Sequence, residues 1–241
     1  MLHRERKDQP GNAFTRIELA AVLAAIFFVM GFIVVPAMAT TKADSGRITC
    51  FNNLRGIGRA VQVWANDHHR QFSWRSYPPQ DGGSTTQLRP AAAWFEYSVL
   101  SNELVTPRIL ACPSDAGVKR AEIFAYEDEG LLRQGYQNNA VSYPLNLDGS
   151  LDVPRSWLSG DRNIDAGSYQ DFQCSAGVQG PMAIPLGAQP VMRWTNAVHG
   201  LFGHMATTDG TVEFTSGDRM REIILQQGID DGGKIHFLKA R

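Results

Sequence analysis

Polarity is spread unevenly along this chain. From Leu19 to Ala39 no residue carries a charge, an amide or a hydroxyl. As a helix this run would be about 31 Å long, close to the thickness of a bilayer core. Gly31 and Pro36 fall within it, and membrane helices tolerate both better than soluble ones do. The pattern predicts one membrane span over 19–39, and no second run of this length follows. After Ala39 polarity rises through Thr40, Lys42, Asp44 and Arg47, yet the helical period persists. Cys50, Phe51, Leu54, Ile57, Gly58, Val61, Trp64 and Ala65 recur at steps of three and four, with Asn52, Asn53, Arg55, Arg59 and Gln62 around the rest of the helix. The expectation is one stem helix over 14–67 whose second half packs on a head domain, residues 68–241.

Within the head, periods are shorter and turns more frequent. Pro78-Pro79 and Asp81-Gly82-Gly83, with Trp74 and Trp94 nearby, predict an irregular stretch over 70–100. Asn138 to Tyr143 reads as a short strand. Met205 to Thr208 and Thr211 to Phe214 flank Asp209-Gly210, a hairpin signal of type I′ character. Ser216 is placed to cap a final helix, Arg219 to Gln227, with Met220, Ile223 and Ile224 inward. Asp230-Asp231-Gly232-Gly233 then leads to a last strand, Ile235 to Leu238. Together these predict an α+β fold, a long N-terminal helix packed on a small, mainly antiparallel sheet with long loops.

Composition adds exclusions. A chain of 241 residues that is 43% hydrophobic can bury a core and is neither a multi-span membrane protein nor wholly disordered. With 23 basic and 24 acidic residues there is no cationic excess to neutralise phosphates, so no nucleic-acid partner is expected. Basic residues flank the apolar run on both sides, so the positive-inside rule does not orient it.

The flank of the apolar run narrows its meaning. Arg4, Arg6 and Lys7 with Ala37-Met38-Ala39 would suit a cleaved secretory signal, but the run is long for one and a removed signal could not use the continuous helical period. A plain anchor has no use for Glu18, since a carboxylate at membrane depth costs about 2–3 kcal/mol without a partner. Ala13-Phe14-Thr15-Arg16-Ile17-Glu18-Leu19 resembles the type IV prepilin signature of a polar leader, a small residue, then Phe-Thr-x-x-Glu and an apolar helix. Further matches are Asn52 to Gly58 on the stem, Cys112-Pro113-Ser114-Asp115, Gly160-Asp161-Arg162-Asn163, and His199 followed after nine residues by Asp209-Gly210. In this order they resemble the pilin-like proteins of planctomycete- and verrucomicrobia-type bacteria often labelled type II secretion pseudopilins.

That resemblance implies a set of expectations. A leader, residues 1–13, is cut between Ala13 and Phe14 by a prepilin peptidase, which also N-methylates Phe14. The Ala13 departs from the usual Gly. Glu18 sets assembly register by pairing with a neighbouring subunit's N-terminus. The chain is a structural filament subunit and not an enzyme. Its helix sits in the inner membrane with the head outside the cytoplasm, and its partners are other pilin-like subunits and an inner-membrane assembly platform. Cys50 and Cys112 occupy recurrent positions of the group, whereas Cys174 is extra. A Cys50–Cys112 disulfide, three free thiols or a pair including Cys174 all remain open. Asn53, Asp115, Asp161, Arg162, His199, Asp209 and Gly210 are structural motif residues.

A different class competes. His199, His204 and Asp209 stand five apart and are of metal-ligating type, which would suit a membrane-anchored or secreted metal-dependent hydrolase. Turn chemistry already accounts for Asp209, and no Gly-x-Ser-x-Gly, His-Glu-x-x-His or phosphate loop is present. The structural reading is therefore preferred, with no catalytic residue and no metal assigned. Acidic turns at Asp148-Gly149-Ser150 and Asp161 to Asp165 offer oxygen ligands for calcium, although their spacing is not that of an EF-hand. Gly160 to Asn163 reads alternatively as a buried polar knot.

Overall fold

The structure is a computed structural model that describes residues 15–76, 82–83, 92–153, 155–165, 170–173, 179–185, 192–226, 234–238 and 240. Ala13, Phe14, Cys174 and the Asp230-Asp231 turn lie outside these residues. The chain divides into two compact units, Met1–Asp44 and Ser45–Arg241.

The first unit holds helix α1 (Arg16–Val29), a π-helical turn (Met30–Val34) and the start of helix α2 (Val35–Asp67). Thr15 caps α1. Its Oγ1 accepts from the Glu18 backbone N–H, and the Glu18 carboxylate accepts from the Thr15 N–H at 2.8 Å. This reciprocal capping box satisfies two donors that a helix start leaves without partners. It gives Glu18 a local role, legible in the Thr-x-x-Glu spacing. No side chain of α1 is buried, and Ile17, Phe27, Phe28 and Phe32 stand exposed. The π-helical turn ends α1 after 14 residues, inside the apolar run. Among the described residues no helix is long and apolar enough to cross a membrane. This corrects the expected transmembrane span over 19–39 and, with it, the single-pass inner-membrane placement.

The second unit is α+β. Seven strands form one sheet in the order β4-β5-β9-β1-β2-β7-β8, and every pairing within it is antiparallel. Its central members are β1 (Leu145–Asn146), β2 (Trp157–Gly160), β7 (Gly203–Thr207) and β9 (Lys234–Leu238). β5 (Gln179–Pro185) pairs with β9 and carries the edge strand β4 (Gln170–Gln173), and β8 (Val212–Thr215) forms the other edge. A separate pair joins β3 (Ile164–Asp165) to β6 (Arg193–Trp194).

Period-two alternation sends neighbouring side chains to opposite faces of the sheet. Leu145, Leu158, Ala206 and Leu238 join one core with the α2 stripe of Cys50, Leu54, Ile57, Val61, Trp64 and Ala65. Trp157, Met205, Ile235 and Phe237 join a second core with Met220, Ile223 and Ile224 of helix α5 (Gly217–Gln226). The sheet is thus covered by α2 on one face and by α5 on the other. Short helices α3 (Ala93–Val99) and α4 (Ser101–Leu104) extend the first core through Tyr97, Leu100 and Leu104.

Two local expectations change. Asn138 to Tyr143 is not a strand. Gln137–Ala140 is a 3-10 turn, and Val141 to Tyr143 run on from it without pairing into the sheet. The Asp209-Gly210 hairpin forms, but Gly210 takes positive φ (86°) while Asp209 does not. Asp209 acts through its side chain, accepting from the Thr207 hydroxyl at 2.6 Å and the Thr211 N–H at 3.0 Å. A side chain that bonds its own turn replaces the double left-handed backbone of a type I′ loop.

Candidate metal centre

The site forms where β2 ends beside the start of β7. Gly160 pairs with Met205, and a Cβ on Gly160 would stand 2.8 Å from the His204 carbonyl oxygen, so glycine lets the strands close. Asp161 follows directly. Its N–H donates to the His204 carbonyl at 3.0 Å, and its Oδ2 accepts the His204 N–H at 2.6 Å. The same Oδ2 lies 2.9 Å from His204 Nδ1 and 3.6 Å from His199 Nε2. All three side chains are nearly inaccessible, at 0% for Asp161, 2% for His199 and 4% for His204. The two imidazoles meet edge to face with centroids 5.0 Å apart.

His199 comes from the loop between β6 and β7. One side chain organises that loop. Asn163 Nδ2 donates to the carbonyls of Thr195, Gly200 and Phe202. Trp194 lies against Gly203, where a Cβ would come within 2.5 Å of the ring. The site's apolar walls include Phe214, whose ring is 4.8 Å from His204, and Phe51, at 6.3 Å.

The same His199 nitrogen also lies against a disulfide. Cys50 of α2 and Cys112 are joined, with Cα atoms 5.2 Å apart, and Cys112 Sγ is 3.5 Å from His199 Nε2. A polar frame holds Cys112. Its N–H donates to Ser142 Oγ at 3.1 Å, and Ser142 Oγ donates to Asp115 Oδ2 at 2.9 Å. Arg162 grips Asp115 with both prongs, at 2.5 Å and 2.6 Å. Asn53 of α2 donates to the Ala111 carbonyl and to the Tyr143 hydroxyl. Asp115 and Arg162 are therefore partners across 47 positions, while Asp161 pairs with His204.

Electrostatics favour ligation. Burial is the largest effect on His199 and pushes its imidazole below the usual range; His204 and Arg47 act in the same direction, while Asp161 and Asp115 oppose it. Near pH 7 the ring is thus neutral, the form that ligates metals. Burial pushes the Asp115 carboxyl up, but the hydrogen bonds from Arg162 and Ser142 outweigh it and hold the group below the ordinary carboxylate range. Among the described residues Asp161 Oδ1 is buried without a hydrogen-bond partner. The ligand atoms of Asp161, His199 and His204 all lie within 4.8 Å of one another, and so do those of Cys50, Cys112 and His199.

Sequence reasoning had set His199, His204 and Asp209 together. The structure brings the two histidines together and leaves Asp209 in its hairpin turn. The carboxylate at the site is Asp161, more than 35 positions away from either histidine, and no spacing rule announces it. Asn163 was also missed, and its only signal was the Gly-Asp-Arg-Asn cluster beside a buried strand. Two of the acidic side chains in the turns read as calcium candidates have protein partners. Asp148 accepts from the His236 backbone and Asp165 from Arg193.

No family model, no curated protein and no solved structure matches this chain. The buried Asp161, His199 and His204 cluster has ligand atoms close enough together to hold a metal ion, consistent with a metal-binding or catalytic site. It corrects the expectation of a purely structural filament subunit, and the expectation that the chain is not an enzyme.

Proposed function

We propose that the Ser45–Arg241 unit is a metal-dependent hydrolase whose ion is held by Asp161, His199 and His204. The observation that carries this reading is Asp161, a wholly buried carboxylate shared by two buried imidazoles, with one oxygen lacking any hydrogen-bond partner. A buried charge is costly unless paired or bound to a metal. Two imidazoles and one carboxylate suit a zinc-class divalent ion, whereas calcium prefers an all-oxygen set. At bond lengths near 2.1 Å, tetrahedral ligands stand about 3.4 Å apart; the His199 Nε2 to Asp161 Oδ2 separation of 3.6 Å is close to that edge, and the His204 Nδ1 to Asp161 Oδ2 separation of 2.9 Å would widen by about 0.5 Å on ligation.

Three protein ligands leave a fourth position for water or substrate. A bound divalent ion there supplies Lewis acidity, which polarises a carbonyl or phosphoryl oxygen and makes a water acidic near neutral pH. The chain's residues do the rest. Asp161 holds the His204 ring in place with Nδ1 2.9 Å from its carboxylate, and that nitrogen would exchange this contact for the ion on ligation. His199 offers a neutral nitrogen. Phe214 and Phe51 lower the local dielectric, which strengthens interactions among the charged groups. The His199 side chain is only 2% accessible, so the proposed reaction requires the covering loop from Thr195 to Phe202 to give access to substrate.

The test is zinc titration of the full chain by calorimetry, paired with hydrolysis of chromogenic carboxylic and phosphate esters. One zinc per chain is expected, with Asp161→Asn and His199→Ala each weakening binding at least about a hundredfold. Absence of stoichiometric zinc overturns the site. Zinc binding with no hydrolysis of either ester class overturns the catalytic half.

A further inference from the structure

The nitrogen that faces Asp161 also faces a sulfur. His199 Nε2 lies 3.6 Å from Asp161 Oδ2 and 3.5 Å from Cys112 Sγ. While Cys50 and Cys112 are joined, neither sulfur is a thiolate and neither is an effective ligand. We propose that this disulfide is a redox gate. Reduction creates a second, thiolate-rich metal site from Cys50, Cys112 and His199, and that site takes His199 away from Asp161 and His204.

The geometry is nearly that of a Cys2His site. Zinc bonds of about 2.3 Å to sulfur and 2.05 Å to nitrogen place tetrahedral S and N ligands about 3.6 Å apart, against 3.5 Å here. Two thiolate ligands stand about 3.8 Å apart, so the sulfurs must separate by less than about 2 Å from their bonded distance. Side-chain rotation supplies that. The backbones stay in place because Cys50 lies in the buried stripe of α2, and the Cys112 N–H is held by Ser142 within the Asp115–Arg162 frame.

The chemistry balances with an external dithiol as reductant. The Cys50–Cys112 bond breaks, the reductant's two sulfurs join, and two S–H bonds form on the protein. Ion binding then releases the two thiol protons. Soft thiolates favour zinc or cadmium over harder ions. His199 Nε2 has one lone pair and serves one ion at a time. This exclusivity rests on the Asp161 site proposed above, whereas the thiolate site itself does not.

Cadmium titration of the full chain in a Cys174→Ser background tests the idea, read by the ultraviolet thiolate-to-cadmium charge-transfer band. After reduction with a dithiol that is then removed, one cadmium per chain with a two-thiolate band is expected; the oxidised chain shows no band. His199→Ala weakens cadmium binding to the reduced chain more than about tenfold. Asp161→Asn leaves the reduced-chain band intact while abolishing zinc binding to the oxidised chain, which separates failure of this site from failure of the hydrolase reading. Near-ultraviolet circular dichroism follows folding. A folded reduced chain without the band overturns the thiolate site, as does a reduced chain that unfolds and does not refold on cadmium. A band unaffected by His199→Ala overturns the gate.

Discussion

Asp115 is the residue on which the site's frame turns. Its carboxylate joins Ser142, which holds Cys112, to Arg162, which follows Asp161 in the chain. The Asp115 side chain is fully buried, so Arg162→Ala leaves an uncompensated charge and is expected to cost about 3 kcal/mol in urea denaturation. Its pH dependence has a definite sign. The native carboxyl lies below its usual value, so its stabilising contribution is complete above the unfolded pKa of about 3.9. That contribution is lost as pH falls through the lowered native value. Asp115→Asn should therefore narrow the gap between wild type and variant as denaturation is repeated at increasingly acid pH. Asp115, Arg162 and His199 were singled out from sequence as motif positions, but which groups they meet depends on partners 27 to 87 positions away, beyond any local rule.

At the scale of elements, the loop from Thr195 to Phe202 decides how well His199 is presented. Three of its backbone carbonyls are tied to one amide, that of Asn163 between β2 and β3. Asn163→Ala leaves those carbonyls without that donor. It should speed hydrogen exchange across 195–202 and weaken zinc binding by about tenfold while the sheet stays protected, read by exchange mass spectrometry and calorimetry. The neighbouring hairpin was legible because turn chemistry is local. The 3-10 turn Gln137–Ala140 was not, because its Val-Ser-Tyr continuation looks like a strand until packing claims it. The capping box at Thr15 and Glu18 was equally local, and it was overlooked because the acid beside an apolar run suggested a more distant partner.

For the whole molecule, the cross-link between Cys50 and Cys112 ties α2 to the Cys112 segment of the head, within one core. The bond spans 62 positions, and closing a loop of that size restricts the unfolded chain by about 4 kcal/mol in the chain-entropy model. Cys50→Ala with Cys112→Ala should lower unfolding free energy by about that amount in urea, with little change in the denaturant slope attributable to native structure. The same cross-link keeps two sulfurs against His199, so stability and metal chemistry meet at one bond.

The chain's own pattern was enough to determine the α+β class, the buried stripe of α2, the hairpin around Gly210 and the inward face of α5. Each depends on periodicity or turn chemistry within a few residues. Three things needed the tertiary structure: the break of the apolar run by the turn Met30–Val34, the meeting of Asp161 with two distant histidines, and the seat of the disulfide on His199. The last two are contacts made through space by groups far apart in the chain. They persist because buried charge must be paired where it lies, and the order of residues carries no periodic trace of that pairing.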